Sequence, residues 1–302
     1  MTSFTFSLFR ARLVTGLVTA VILCTATCAR AQEAKKKALA ICEISPTPAL
    51  AERSIKVGTK NELDRVIQSF DAQLVDRMHN TRKYTIQAHS DLPDLIKSGR
   101  FNAQALRGTD ILVATVDDFA DIDPVKNKDN VLLGGENRVV FRNIRVSIVA
   151  KIYKGGSDEL RESANFTRTI GATQQDQQLG DALLVKSARE LSELVANRVA
   201  YVIDPPKVVD VSTVDDGNNK QIKQVTVNWG DGLFIAPGDT WEVVARKFKT
   251  VDGEDIPIDT VVGTIEIQQV EPKASVGKVV GDEKPPGITD KECFLRNRKP
   301  KK

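Results

Sequence analysis

Hydrophobic positions follow two kinds of pattern in this chain, and the change comes at Asp204-Pro205-Pro206. Before it, short apolar runs alternate with helical periodicity. Ala38-Leu39-Ala40-Ile41-Cys42-Glu43-Ile44 is nearly continuous, as in a central strand. Residues 45–60 hold Pro46, Pro48 and Gly58 and read as a loop. Leu63, Val66, Ile67, Phe70, Leu74 and Met78 recur at three- and four-residue spacing, which predicts an amphipathic helix with Asn61 as its N-cap. Residues 83–88 alternate as a strand, Ser90 opens a short predicted helix over 91–97, and 109–116 read as a buried strand entering an acidic loop, 117–123. Over 137–154, Val140, Ile144, Val146, Ile148, Ala150 and Ile152 share one face, and Arg145, Ser147, Lys151 and Tyr153 the other. Gly155-Gly156-Ser157 turns the chain, and 163–170 return antiparallel. Leu183, Val185, Leu191, Leu194, Val195 and Val199 stripe a second helix over 179–200.

After the paired prolines the helical period disappears. Four strands are predicted, over 207–214, 222–228, 241–249 and 260–269, with Gly217, Gly230, Gly232, Gly238 and Gly253 between them. The expected class is therefore α+β. Residues 36–204 form a mixed sheet with helices on one main face, and 206–281 a small SH3-like β-barrel. Residues 282–302 are charged and proline-bearing and read as a basic disordered tail.

The N-terminus changes the picture most. Arg10 and Arg12 precede an apolar run over 13–23 that fades into Ala29-Arg30-Ala31, the composition of a cleaved secretory signal over 1–31. The run falls short of the about 20 residues a membrane span needs. Cys24 and Cys28 lie where a lipid anchor would be sought, but Leu23 and Thr27 precede them instead of the expected small residue. The expected location is the periplasm or the periplasmic face of the outer membrane.

Cleavage would take Arg10, Arg12 and Arg30 and no acid, so 43 basic residues fall to 40 against 40 acidic ones. A body of zero net charge argues against nucleic acid as a partner. Only Cys42 and Cys293 would remain, and two readings stay open: a disulfide, which an oxidising compartment permits, or two separate thiols. The tail holds Arg296, Arg298, Lys299, Lys301 and Lys302, candidates for contact with an anionic surface or simply a solubilising segment.

Sites of chemistry are sparse. His79 and His89 are the only histidines, and no nucleophile elbow, P-loop, dinucleotide fingerprint or zinc-ligand spacing occurs. Asp117, Asp118, Asp121 and Asp123 are dense enough to suggest calcium, but lack the glycine and distal glutamate of an EF-hand loop. The expectation is a non-enzyme with no cofactor. Trp241, flanked by strand residues, reads as core. Trp229, in a turn beside Asp231 and Phe234, reads as an exposed partner-binding anchor.

Two stretches resemble known families. The helix end and strand Arg77-Met78-His79-Asn80-Thr81-Arg82-Lys83-Tyr84-Thr85-Ile86, then Ser90-Asp91-Leu92-Pro93-Asp94-Leu95, and Gly108-Thr109-Asp110-Ile111-Leu112-Val113-Ala114-Thr115-Val116-Asp117-Asp118-Phe119 look like the curli-secretion-channel (CsgG-like) α/β domain. Val225-Thr226-Val227-Asn228-Trp229-Gly230-Asp231-Gly232-Leu233-Phe234 with Pro237-Gly238-Asp239-Thr240-Trp241-Glu242-Val243 resembles the C-terminal β-barrel of the flagellar T-ring protein. The resemblance implies an accessory or scaffold protein for an envelope machine, of secretion, cell-wall or flagellar type, with outer-membrane or cell-wall-associated partners or copies of itself. The alternative it implies is an oligomeric outer-membrane secretion channel. That alternative needs a lipid-facing hairpin, and the best candidate pair, 139–153 with 163–170, carries Glu162 and Arg168 on the face of Ala164, Phe166 and Ile170.

Overall fold

The computed structural model describes residues 36–297 apart from 88–105, 123–124, 131–134, 141, 158, 173–179, 216–220, 234, 252, 286 and 291. The signal segment, the helix expected over 91–97, His89, Asp123, Phe234, Arg298, Lys299, Lys301 and Lys302 lie outside the described residues. Lys37–Lys302 forms one compact unit.

Its first sheet has the order β3-β1-β4-β7-β8, from β1 (Lys37–Ile41), β3 (Tyr84–Gln87), β4 (Thr109–Ile122), β7 (Arg142–Lys154) and β8 (Leu160–Ala172), with β2 (Ser45–Pro46) on β4. β1 runs parallel to β3 and β4, and the β4–β7–β8 meander is antiparallel, so the sheet is mixed as expected. One face is covered by α2 (Lys60–Asn80) and α3 (Gly180–Ile203). The predicted stripes make most of that contact: Leu63, Val66, Phe70, Leu74 and Met78 from α2, with Leu183, Leu191, Val195 and Val199 from α3, whereas Val185 of the expected stripe is exposed. They close on Ile144, Val146, Ile148, Ala150 and Ile152 of β7. Among the described residues the opposite face carries a small apolar group, Ala40, Cys42, Leu106 and Ile111, with Val113 and Tyr153 packed against it.

Three local expectations need correction. Residues 45–60 are not all loop, because α1 spans Pro48–Val57. Pro48 occupies the first turn, where a missing N–H costs nothing, and the Thr47 hydroxyl accepts from the Leu50 N–H at 3.3 Å. Gly58 ends the helix at φ +81°. For α2 the N-cap is Thr59, not Asn61. The acidic stretch 117–122 is strand, not loop: β4 runs through it, with Asp117 as the extra residue of a bulge that turns Phe119 back to the core.

Beyond the sheet, β5 (Val125–Asn130) pairs with β6 (Gly135–Val140) in the register of β4 and β7, so four strands form one long ribbon. The expected strand over 137–154 is thus β6 plus β7.

The second sheet has the order β14-β11-β12-β13-β10-β9, all antiparallel, from β9 (Val208–Asp215), β10 (Gln221–Val227), β11 (Thr240–Val251), β12 (Glu254–Val270), β13 (Ser275–Val279) and β14 (Cys293–Asn297). A closed SH3-like barrel is not formed. The edge strands meet only at a bridge, Lys207 with Phe294, beside a Leu295 N–H bond to the Pro206 carbonyl at 2.7 Å. That contact also corrects the disordered tail: 293–297 are an ordered strand, held because β11 offers it a free edge and Leu295 a buried apolar anchor.

Candidate functional site

The junction after α3 gathers hydrogen bonds, ring contacts and ion pairs around one indole. Trp229 is 1% exposed, so it is not the exposed anchor its turn suggested. Its indole N–H donates to the Asp204 carbonyl at 2.9 Å, and its ring meets Tyr201 and Trp241 edge-on, each at 6.3 Å. The turn tucks the tryptophan under the end of α3 because the indole finds both apolar cover and an acceptor there. The Lys83 ammonium sits 5.5 Å over the same ring and donates to the Asp204 carboxylate at 2.6 Å; Lys37 reaches that carboxylate at 3.4 Å. Burial lowers the Lys83 pKa against the pull of Asp204. Burial would raise Asp204, but the Lys83 and Lys37 charges outweigh it and hold the carboxyl below its ordinary range. The cluster joins the two sheets.

The other expected site residues do not converge. Asp231 is exposed, and its N–H donates to the Glu271 carbonyl at 2.8 Å. Arg296 is exposed on β14, but Glu242 engages it from the neighbouring strand at 2.9 Å, so it is not a free cation of a loose tail. Cys42, just past β1, and Cys293 of β14 are both free and both buried, so the pairing reading is not realised. Burial pushes the Cys42 thiol up to about 12, far from a reactive thiolate.

Two hollows remain. One, about 220 Å³, lies between α1 and β4, lined by Leu50, Val57, Phe119, Arg53, Asp118 and Arg145. Its charges are already matched: Arg53 donates to Asp118 at 2.6 Å and Arg145 at 2.9 Å. Burial raises Asp118, yet the two guanidiniums leave it below the usual carboxylate range. Arg142 takes up Asp121 in the same way, so Asp118 and Asp121 are arginine-paired positions of a strand, while one buried carboxylate oxygen of Asp117 has no partner among the described residues. Among the described residues, no cluster of three ligating side chains is placed to hold a metal. The second hollow, about 390 Å³, is lined by Arg77, Arg168, Arg189, Glu190, Glu193 and Leu194. Arg77 pairs with Glu193, and Arg168 approaches Glu190 at 3.9 Å.

The feature that sequence reasoning missed is an arm. β11 and β12 run on past the sheet as a two-stranded ribbon in which every described residue from Arg246 to Thr260 is exposed. It carries Phe248 at 67%, Ile256 and Ile258 at 46% and Val251 at 40%, a concentration of bare apolar side chains. Apolar residues in paired strands are ordinarily packed, so only the missing cover distinguishes these.

No family model matches the chain, and no curated protein matches it. Among solved structures it is similar to a hypothetical protein of Chlamydia trachomatis, at 11% identity over 55% of this chain and 98% of that one, with a TM-score of 0.36. A putative neuraminyllactose-binding hemagglutinin homolog of Helicobacter pylori is similar at 15% identity over 55% and 83%, TM-score 0.32. A minor lipoprotein of Acinetobacter baumannii is similar at 12% identity over 54% and 92%, TM-score 0.28. Likeness at TM-scores this low supports no functional conclusion.

Proposed function

We propose that the chain is an exported, non-enzymatic accessory or scaffold protein of a bacterial cell envelope that acts through contacts with other envelope proteins. The observation that carries this reading is the bare arm between Arg246 and Thr260, apolar surface held out on a two-stranded ribbon. The signal-like segment over 1–31 supports export, and the resemblance of residues 38–280 to CsgG-like and T-ring modules supports the envelope setting. The channel alternative gains nothing from its candidate hairpin. Ile144, Val146, Ile148 and Ile152 are spent on the protein core, and Glu162 on the other strand pairs with Arg198 of α3.

Fractionation of cells making the native chain tests the reading. Release with the periplasm, or from the envelope by salt alone, is the expected result. Recovery in the cytoplasm with residues 1–31 still attached would sink it, and extraction only by detergent would favour the channel.

A further inference from the structure

The backbone of the arm gives more than a bare surface. β14 pairs with β11 only as far as Cys293 opposite Ala245, and the last bond across that edge is from the Arg246 N–H to the Glu292 carbonyl at 3.2 Å. In an antiparallel ladder, alternate residues point their N–H and C=O to alternate sides. Arg246, Phe248 and Thr250 therefore all address the outer edge of β11. Among the described residues nothing meets Phe248 and Thr250 there.

The other edge of the arm is interrupted by a proline. Pro257 lies opposite Phe248, in the position whose N–H would point outward from β12, and proline has none. One edge of the ribbon is blunted in the way natural sheets protect themselves, and the other is left open.

Side chains around the open edge define what fits. Residues directly opposite in the ladder share a face, so Lys247, Lys249 and Val251 lie with Ile258, Ile256 and Glu254. Phe248 and Thr250 lie on the reverse, with Pro257 and Asp255. Two lysines on alternate residues, flanked by isoleucines, call for acidic side chains at alternate positions of an incoming strand, with an apolar one between them against Phe248. A second copy of the arm fits badly: pairing centred on Phe248 sets Lys247 against Lys249 of the other copy, like charges directly opposite. An anionic bilayer fits badly too, because Glu254 and Asp255 occupy the end that would enter it first.

We infer that the outer edge of β11, from Lys247 to Val251, receives an extended segment of a partner protein with alternating acidic and apolar residues, which adds a strand in continuation of β14. This rests on the reading that the protein works by protein contacts, and it names the mode and the chemistry of the contact.

The test is titration of the full chain with a fluorescein-labelled peptide of alternating glutamate and valine, about seven residues long to span the edge. The same peptide N-methylated at alternate amides, a lysine-for-glutamate peptide and phosphatidylglycerol vesicles serve as rivals. Saturable binding of the acidic peptide alone is expected, weakened about tenfold or more in the K247E/K249E double variant, since two cross-strand charge pairs turn from attractive to repulsive. Thr250→Pro should weaken it as N-methylation does, because it removes one outward N–H while leaving the β12 ladder intact, as Pro257 does on the other strand. Both variants should keep the wild-type circular dichroism. If Thr250→Pro proves unfolded, the N-methylated peptide decides the backbone role and the lysine variant the charge. Absence of saturable binding, binding indifferent to N-methylation, or lysine-dependent capture of vesicles in place of the peptide overturns the inference. Fractionation is blind to all of these outcomes, so failure here and failure of the export reading are told apart.

Discussion

The two sheets spend their apolar residues differently. In the first, β7 turns Ile144, Val146, Ile148 and Ile152 into a face that α2 and α3 cover, and no large side chain of that face is left in water. The second has no helix of its own. Its core borrows the end of α3, where Tyr201 and Ile203 meet Trp229, Trp241, Val243 and Ile265 in one unbroken cluster. Beyond that shelter β11 and β12 carry on unpacked. The face under α2 and α3 is complete within itself; a sheet that leans on a neighbour at one end and projects bare apolar side chains at the other is built to meet something else.

The sharpest way to break this comparison is at the shared residue. Trp229→Ala is expected to cost about 3–5 kcal/mol, as for large buried aromatics, and to affect the second sheet more than the first. Urea unfolding followed separately by Trp241 fluorescence and by far-ultraviolet circular dichroism should then show transitions that no longer coincide. Coincident transitions would mean that the second sheet does not depend on the indole.

Glycines give the next contrast. A Cβ on Gly155, in the β7–β8 turn, would lie 2.1 Å from the Thr109 carbonyl oxygen and 2.2 Å from that of Leu106, both backbone and unable to swing away. Gly155→Ala should therefore cost about 1–3 kcal/mol through forced backbone movement. Gly253, at the tip of the arm, has open space and φ +84°, so Gly253→Ala should cost only the strain of a left-handed residue, about 1–2 kcal/mol. Thermal denaturation of the two variants ranks them, and the reverse order would mean that the tip is the better-determined turn.

How much of this was legible follows from the range of the forces involved. The stripes of α2 and α3 and the two faces of β7 could be read because burial imposes a period on neighbouring residues. Helix α1 is equally local, with Thr47-Pro48 to start it and Gly58 to stop it; a proline reads as a breaker in general, yet Pro48 sits in the first turn, where proline favours a helix. Strand β14 had no local signal. Cys293, Phe294 and Leu295 are too few to show alternation, and an edge about fifty residues away in sequence makes them a strand. Trp229 was misplaced for a related reason: a turn next to glycine suggests exposure, and only the end of α3 and the Asp204 carbonyl, both remote from that turn, make it core.

Acid separates the regions more gently. Asp204 at the junction and Asp118 beside α1 both have lowered pKa values, so each contributes stability that is present above the ordinary carboxylate value of about 4 and lost as pH falls through its folded-state value. Asp110 runs the other way. Burial raises it despite Arg161 at 3.1 Å, so its ionised form is a cost at neutral pH that acid relieves. Asp204→Asn should flatten the fall of melting temperature below about pH 4, and it should lower the melting temperature at neutral pH by leaving Lys83 buried beside a neutral amide. An unchanged acid limb would assign the fall to other carboxylates.

The smallest expected effect on stability bears most directly on what the arm is for. Phe248 is bare on the reverse face of the ribbon, touching water where the first sheet would have placed a helix. Phe248→Ser should change stability by no more than about 0.5 kcal/mol, because little apolar contact is lost when an exposed side chain is removed. If the arm instead packs against the body in solution, the same change would cost the 1 kcal/mol or more typical of partly buried aromatics, and a melting curve distinguishes the two. A near-neutral result paired with weaker capture of the acidic peptide would show that this phenylalanine is kept for a partner and not for the fold. The second sheet would then be the half of the molecule whose apolar surface is completed from outside.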